Sequence, residues 1–173
     1  MSSPWHLRAV PTPTTDQSQD ITDRISDLTL ETFRLNGRLL IVGDRLVAPL
    51  GLTSARWQVL GAVAYAPHPG PVAHVARAMG LTRQNVRRIV GDLVLDGLLE
   101  LRPNPHHRRA PLVVLSPKGE TAFRDAMQIW MPWTRLLADG LSPEALDTTI
   151  ATLRLLRERL SIGEAEEEED AQP

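Results

Sequence analysis

The chain contains no cysteine, which excludes a disulfide framework, a thiolate-held zinc site and a cysteine redox sensor together. Lysine is nearly as scarce: Lys118 is the only one among nineteen basic residues, the rest being arginine. Arginine's planar fork suits paired contacts with anions, but so uniform a bias also follows from genomic base composition and carries little weight here. No apolar run approaches the roughly eighteen residues that cross a bilayer. The opening, MSSPWHLRAVPTPTTDQSQD, has no apolar centre of the kind a secretory signal carries. A cytoplasmic protein with no membrane partner is therefore expected. The motifs of an enzyme are missing too: there is no nucleophile with its base, no phosphate loop and no paired-carboxylate site. Neither catalysis nor a cofactor is expected.

What is present is a chain of 173 residues, 42% of them hydrophobic, enough for one domain with extensions. Its net charge of −2 hides a strong asymmetry. From Gly51 to Lys118 nine basic residues face three acids, a local balance of +6 that leaves −8 for the remainder. Six of those negative charges fall in EAEEEED, Glu164 to Asp170. Such a run repels itself and has nothing to bury, so residues 164–173 are expected to be a disordered acidic tail. Residues 1–19, rich in Pro, Ser and Thr without any period, are expected to be a disordered arm.

Between them the apolar pattern is helical. Ile21, Ile25, Leu28, Thr32, Leu35, Leu39, Val42 and Leu46 step by fours and threes, predicting a long helix from a cap at Asp20 to a stop before Pro49. Leu30, Phe33 and Leu40 widen its apolar face beyond what one neighbour would cover. Thr53 can cap a helix bearing Trp57, Val59, Leu60 and Val63, and Pro71 suits the first position of a short helix stopped by Gly80. Thr82 can cap a third, with Val86, Ile89, Val90, Leu93 and Val94 on one face and Gly97 at its end. LLELR and PLVVL, joined by PNPHHRRA, then read as a hairpin with a long tip. Residues 117–139 predict another helix, with Pro132 as a kink, and Leu146, Ile150, Leu153, Leu156 and Leu160 stripe the last.

The expected fold is mainly α with a small β-hairpin: a winged helix-turn-helix lobe over about 52–116, with further helices at about 20–48 and 117–163. In that arrangement the motif's second helix enters the DNA major groove while the hairpin reaches a neighbouring groove. With Val86, Ile89, Val90 and Leu93 facing the core, Arg83, Gln84, Asn85, Arg87 and Arg88 fall on the outer face of the third helix. Arginine can grip guanine by two hydrogen bonds, and Asn or Gln can do the same with adenine. Arg108 and Arg109, with His106 and His107, occupy the hairpin tip, where phosphate or minor-groove contacts are made. Double-stranded DNA is the expected partner. The apolar stripes of the outer helices exceed what one small lobe covers, which predicts a homodimer.

The stretches LTSARWQVL, VAHVARAMGLTRQNVRRIVGDLVLDGLL and RRAPLVVLSPKG resemble the MarR family of bacterial transcriptional regulators, in order and spacing. The resemblance covers nearly all of the chain except the arm and the tail. It implies a homodimer held by helices from both chain ends, binding a pseudo-palindromic operator, usually as a repressor relieved by a small-molecule effector. It places Thr82, Arg83, Gln84, Asn85, Arg87 and Arg88 on the recognition helix, and Arg108 and Arg109 on the wing. One position departs from the family's pattern, which commonly reads Asp, any residue, Arg: here His107 stands at the acidic position. Either Arg109 is freer to reach phosphate or the wing is less ordered.

Two further groups of residues admit a site. Trp57, Met127, Trp130, Met131 and Trp133 could line an effector pocket, against plain core packing as the favoured alternative. His106 and His107 are set aside as metal ligands, because adjacent residues in a hairpin tip point to opposite sides and no other ligand stands near. The acidic tail is read as solubilising rather than as a competitor of DNA. The rival to DNA binding is a winged-helix module that binds protein instead; three arginines with Gln84 and Asn85 argue against it, since protein interfaces favour exposed apolar anchors.

Overall fold

A computed structural model describes the backbone of residues 15–170 and the side chains of residues 19–160. Most of the expected arm, residues 1–14, and the end of the tail, residues 171–173, lie outside the described residues. Helix α1 spans Thr15–Val47, five residues longer at its start than the sequence pattern suggested. Thr15 to Gln19 carry no apolar residue, so the periodicity that announces the helix begins only at Ile21. Asp20, expected as the cap, sits inside α1 and accepts two hydrogen bonds from Arg24 Nε, at 3.0 and 2.9 Å. That hydrogen bond, and then the carboxylate charge, hold the Arg24 guanidinium above its ordinary pKa.

After α1 a single 3-10 turn, Ala48–Leu50, carries Pro49 near its start and ends at Gly51. Helix α2, Ser54–Ala64, is capped by Thr53, whose hydroxyl accepts the Arg56 N–H at 3.3 Å. The buried Ser54 donates its N–H to Asp44 Oδ1 at 2.6 Å, tying α2 to the end of α1. Helix α3, Val72–Met79, starts one residue later than expected, with Pro71 as the cap in extended conformation rather than as its first helical residue. Helix α4, Arg83–Leu95, follows Thr82. Strands β1, Leu99–Arg102, and β2, Leu112–Leu115, pair antiparallel from Leu99 opposite Leu115 to Arg102 opposite Leu112. A third, single-residue pairing joins them: Val113 donates its N–H to Gly70 O at 2.9 Å. The sequence offered no signal for it, because one extended residue before a helix has no period to read.

Helix α5, Pro117–Leu137, continues through Pro132. Helix α6, Pro143–Asp170, is continuous in its backbone through the run from Glu164 that the sequence pattern set apart. Glutamate's high helix propensity favours that continuation. The architecture is mainly helical with one small hairpin. No described helix is long and apolar enough to cross a membrane.

The chain divides into two compact units at Ile129 and Trp130. In the first, Val59, Leu60, Val86, Leu93, Leu99 and Val113 are almost wholly buried, each worth about 1.5 to 3 kcal/mol of transfer free energy. These residues come from α2, α4 and both strands, so the wing and the helix before it share one core. Along α1, by contrast, Ile21, Ile25, Leu30, Phe33, Leu35 and Ile41 are exposed. In the second unit the rings of Trp130 and Trp133 lie 4.6 Å apart, and Leu146, Ile150, Leu153 and Leu160 of α6 are exposed.

Candidate nucleic-acid interface

The orientation of α4 is fixed from both ends and from beneath. At its start the Thr82 hydroxyl accepts the Asn85 N–H at 3.3 Å. Beneath, Val86, Ile89, Val90 and Leu93 are buried. At its end Gly97, with φ +70°, takes the left-handed conformation that a side chain would strain. Two hydrogen bonds close that end, Leu98 N–H to Leu93 O at 2.8 Å and Gly97 N–H to Val94 O at 3.0 Å. The chain then leads directly into β1. Arg83, Gln84, Asn85, Arg87 and Arg88 are consequently all exposed on the outer face.

The base of the wing is held by Ser116, which donates from Oγ to Gly97 O at 2.6 Å and accepts the Gly119 N–H at 3.0 Å. A Cβ on Gly119 would collide with the Leu98 carbonyl oxygen, so α5 can approach this closely only through glycine. The tip is organised by Asn104, a residue the sequence reading passed over. Its Nδ2 donates to Ala110 O at 2.9 Å across the tip, and its Oδ1 accepts the His106 N–H at 3.0 Å. Backbone bonds from His107 N–H to Asn104 O and from Ala110 N–H to His107 O complete the turn. The local signal was the Asn itself, whose side chain commonly bonds the backbone two residues on. His106, His107, Arg108 and Arg109 are exposed there.

Charge pairing sorts the arginines. Asp96 is paired with Arg56, Asp92 lies 4.0 Å from Arg88, and Glu100 lies 3.4 Å from Arg102. The three acids of the basic segment are thus each matched. Among the described residues Arg83, Arg87, Arg108 and Arg109 stand in no ion pair. Arg83, Arg87 and Arg109 line one groove of about 630 Å³ between α4 and the wing, with Leu95 and Leu101 in its wall. Helix and tip therefore contribute to a single cationic surface. Gln84, Asn85 and Arg88 lie on α4 outside that groove, and His106 and Arg108 project from the tip.

The candidate effector residues divide between the two units. Trp57 is buried in α2 and Met127 half-buried in α5, both in the first; Trp130, Met131 and Trp133 belong to the second, where the two tryptophan rings meet at a tilt of 40° and Met131 is exposed.

Three helices of this spacing, a glycine-turned exit and a two-stranded wing define a winged helix-turn-helix protein. The model of the MarR family matches residues 50–110. An uncharacterized Mycobacterium tuberculosis protein, Rv2011c, is 40% identical over 134 residues, 78% of this chain and 92% of its own. Among solved structures, CouR from Rhodococcus jostii RHA1 bound to p-coumaroyl-CoA superposes with a TM-score of 0.68 at 21% identity, covering 76% of this chain and 92% of its own. The M. tuberculosis regulator MosR in complex with DNA gives 0.65 at 21%, covering 76% and 96%. The chain belongs to the MarR family. That family and these structural relatives are transcription regulators rather than enzymes.

Proposed function

We propose that the protein is a sequence-specific DNA-binding regulator, a homodimer that represses from a pseudo-palindromic operator and is released by a small molecule. The observation that carries this reading is the sorting of charge. Every acid in the basic segment has a basic partner, while Arg83, Arg87, Arg108 and Arg109 on α4 and the wing stand in no ion pair among the described residues. Cations held without partners suit a polyanion. Arg83, Gln84, Asn85, Arg87 and Arg88 carry the chemistry of base reading, and Thr82 fixes the helix end that presents them. Arg108, Arg109 and His106 supply backbone or minor-groove contacts. The exposed apolar faces of α1 and α6 support a dimer. MosR in complex with DNA and CouR bound to p-coumaroyl-CoA make the two partner classes reasonable for a chain of this fold. Trp57, Met127, Trp130, Met131 and Trp133 are candidate effector contacts.

One observation favours a second reading, in which the same face binds protein. Leu95 is 86% exposed and Leu101 49% exposed, beside the arginines that rim the groove. Sequencing the genomic fragments retained by the purified protein separates the two readings. Enrichment of one palindromic sequence supports the regulator, and retention without sequence preference contradicts it. A reporter downstream of the recovered site gives the sign: expression that rises on deletion of the protein is the outcome for a repressor, and a fall makes it an activator.

A further inference from the structure

A second polar cluster lies away from the DNA-facing surface, at the far end of α4. Asp96, the residue that ends α4, is held from two sides. Its carboxylate accepts from Arg56 Nη2 in the first turn of α2. Its carbonyl accepts from Lys118 Nζ in the first turn of α5 at 2.8 Å. On a guanidinium, Nε–H and one Nη2–H lie parallel along one edge, spaced for both oxygens of a carboxylate. Asp96 uses only the Nη2 side. Arg56 Nε is buried, and among the described residues it meets no hydrogen-bond partner. A buried donor left unpaired is unfavourable, so this edge is half used.

A cavity of about 500 Å³ opens beside it, walled by Leu50 and Leu98 and reaching Lys118 and Asp125. That volume lies in the range of small-molecule sites. Lys118 and Asp125 are seven residues apart on α5, two turns or about 10 Å along the axis. The cavity therefore has a cationic end at Arg56 and Lys118, an anionic end at Asp125, and apolar walls.

We propose that this cavity binds a small amino-carboxylate, with its carboxylate and amine at opposite ends of a short apolar spacer, and that the bound carboxylate takes the Arg56 edge from Asp96. The side chain of Asp96 is half exposed, so it can turn to water as the ligand enters. Releasing it unfastens the C-terminal end of α4 from α2, which couples the cavity to the DNA-facing helix. That consequence rests on the regulatory reading above; the binding itself does not.

The test uses the full chain without DNA and rigid probes in calorimetry. 4-(Aminomethyl)benzoate is expected to bind saturably, with 4-methylbenzoate and 4-(aminomethyl)benzamide each at least about tenfold weaker, since each lacks one charged end. Arg56→Gln should weaken binding by about tenfold or more. Asp96→Asn should tighten it severalfold by removing the competitor for Arg56, a gain that a poorly folded variant cannot imitate. Asp125→Asn should erase the preference for the amine over the methyl group. No saturable heat from 4-(aminomethyl)benzoate up to about 1 mM, or binding that neither Arg56→Gln nor Asp96→Asn alters, overturns the site. Duplex titrations by anisotropy then read the coupling, with DNA affinity expected to fall severalfold when the probe is bound. Probe binding through Arg56 in a protein that retains no DNA keeps the cavity and removes the regulatory reading. DNA binding without any probe binding removes the cavity alone. Both ligands binding without affecting each other overturns the release of α4.

Discussion

Arg83 and Arg87 of α4 and Arg109 of the wing line one groove, and their roles are separable by substitution. Replacing a base-reading arginine on α4 with alanine should cost about 1 to 3 kcal/mol and relax preference at one position in each half-site. Replacing a phosphate-contacting one should weaken all sequences alike. Arg109→Ala should lower the salt slope of binding by roughly two, one contact for each half of a dimer. His107 bears on the same question from the other side. An added carboxylate in His107→Asp should weaken DNA binding if Arg109 already reaches phosphate unaided, and strengthen it if the tip needs that partner. The tip has another organiser in Asn104, whose two side-chain bonds span it. Asn104→Ala should speed hydrogen exchange at His106, whose N–H its Oδ1 accepts, and leave α4 unaffected. Equal protection in both proteins would contradict that role. The bond of Asn104 to His106 follows a local preference of asparagine, but its partner Ala110 becomes its neighbour only when the hairpin closes.

Helix α4 could be read from the chain because cap, apolar period and the following Gly97 agree there, α2 from its Thr53 cap and apolar residues, and the end of α3 from Gly80. The two strands were legible as short aliphatic runs. Interactions between distant stretches were not: Gly70 with Val113, and Arg56 with Asp96 forty residues on, appear only once the helices pack. The same holds for Gly119, which looks like an ordinary turn glycine in SPKG but lies against the Leu98 carbonyl. Gly119→Ala should therefore be strongly destabilising, either unfolding the lobe or pushing α5 off the wing, whereas Gly37→Ala, which meets nothing within 4 Å, should be neutral or stabilising. Thermal unfolding of the two variants checks this, and equal midpoints would contradict the close approach. Thr82→Ala removes the cap of α4 and should cost about 0.5 to 2 kcal/mol, with a matching loss of DNA affinity only if the helix start must be ordered for binding.

At the scale of the whole molecule, the apolar residues left exposed on α1 and α6 need covering. Light scattering at micromolar concentration should give about twice the chain mass of 19.2 kDa. Phe33→Glu, which places a charge at a 68% exposed aromatic, should shift that value toward the monomer. A monomer in the unaltered protein would remove the dimeric architecture. Two recognition helices in such a dimer should sit roughly 34 to 36 Å apart, one turn of DNA. The central claim, that α4 and the wing read DNA through their unpaired arginines, is tested most directly by titrating the unaltered protein and an Arg83→Ala, Arg87→Ala double variant against the recovered operator and a scrambled duplex at several salt concentrations. The account predicts steeply salt-dependent binding that favours the operator, with that preference largely lost in the double variant. Equal affinity of the two proteins for the operator, or affinity that salt leaves unchanged, would contradict it.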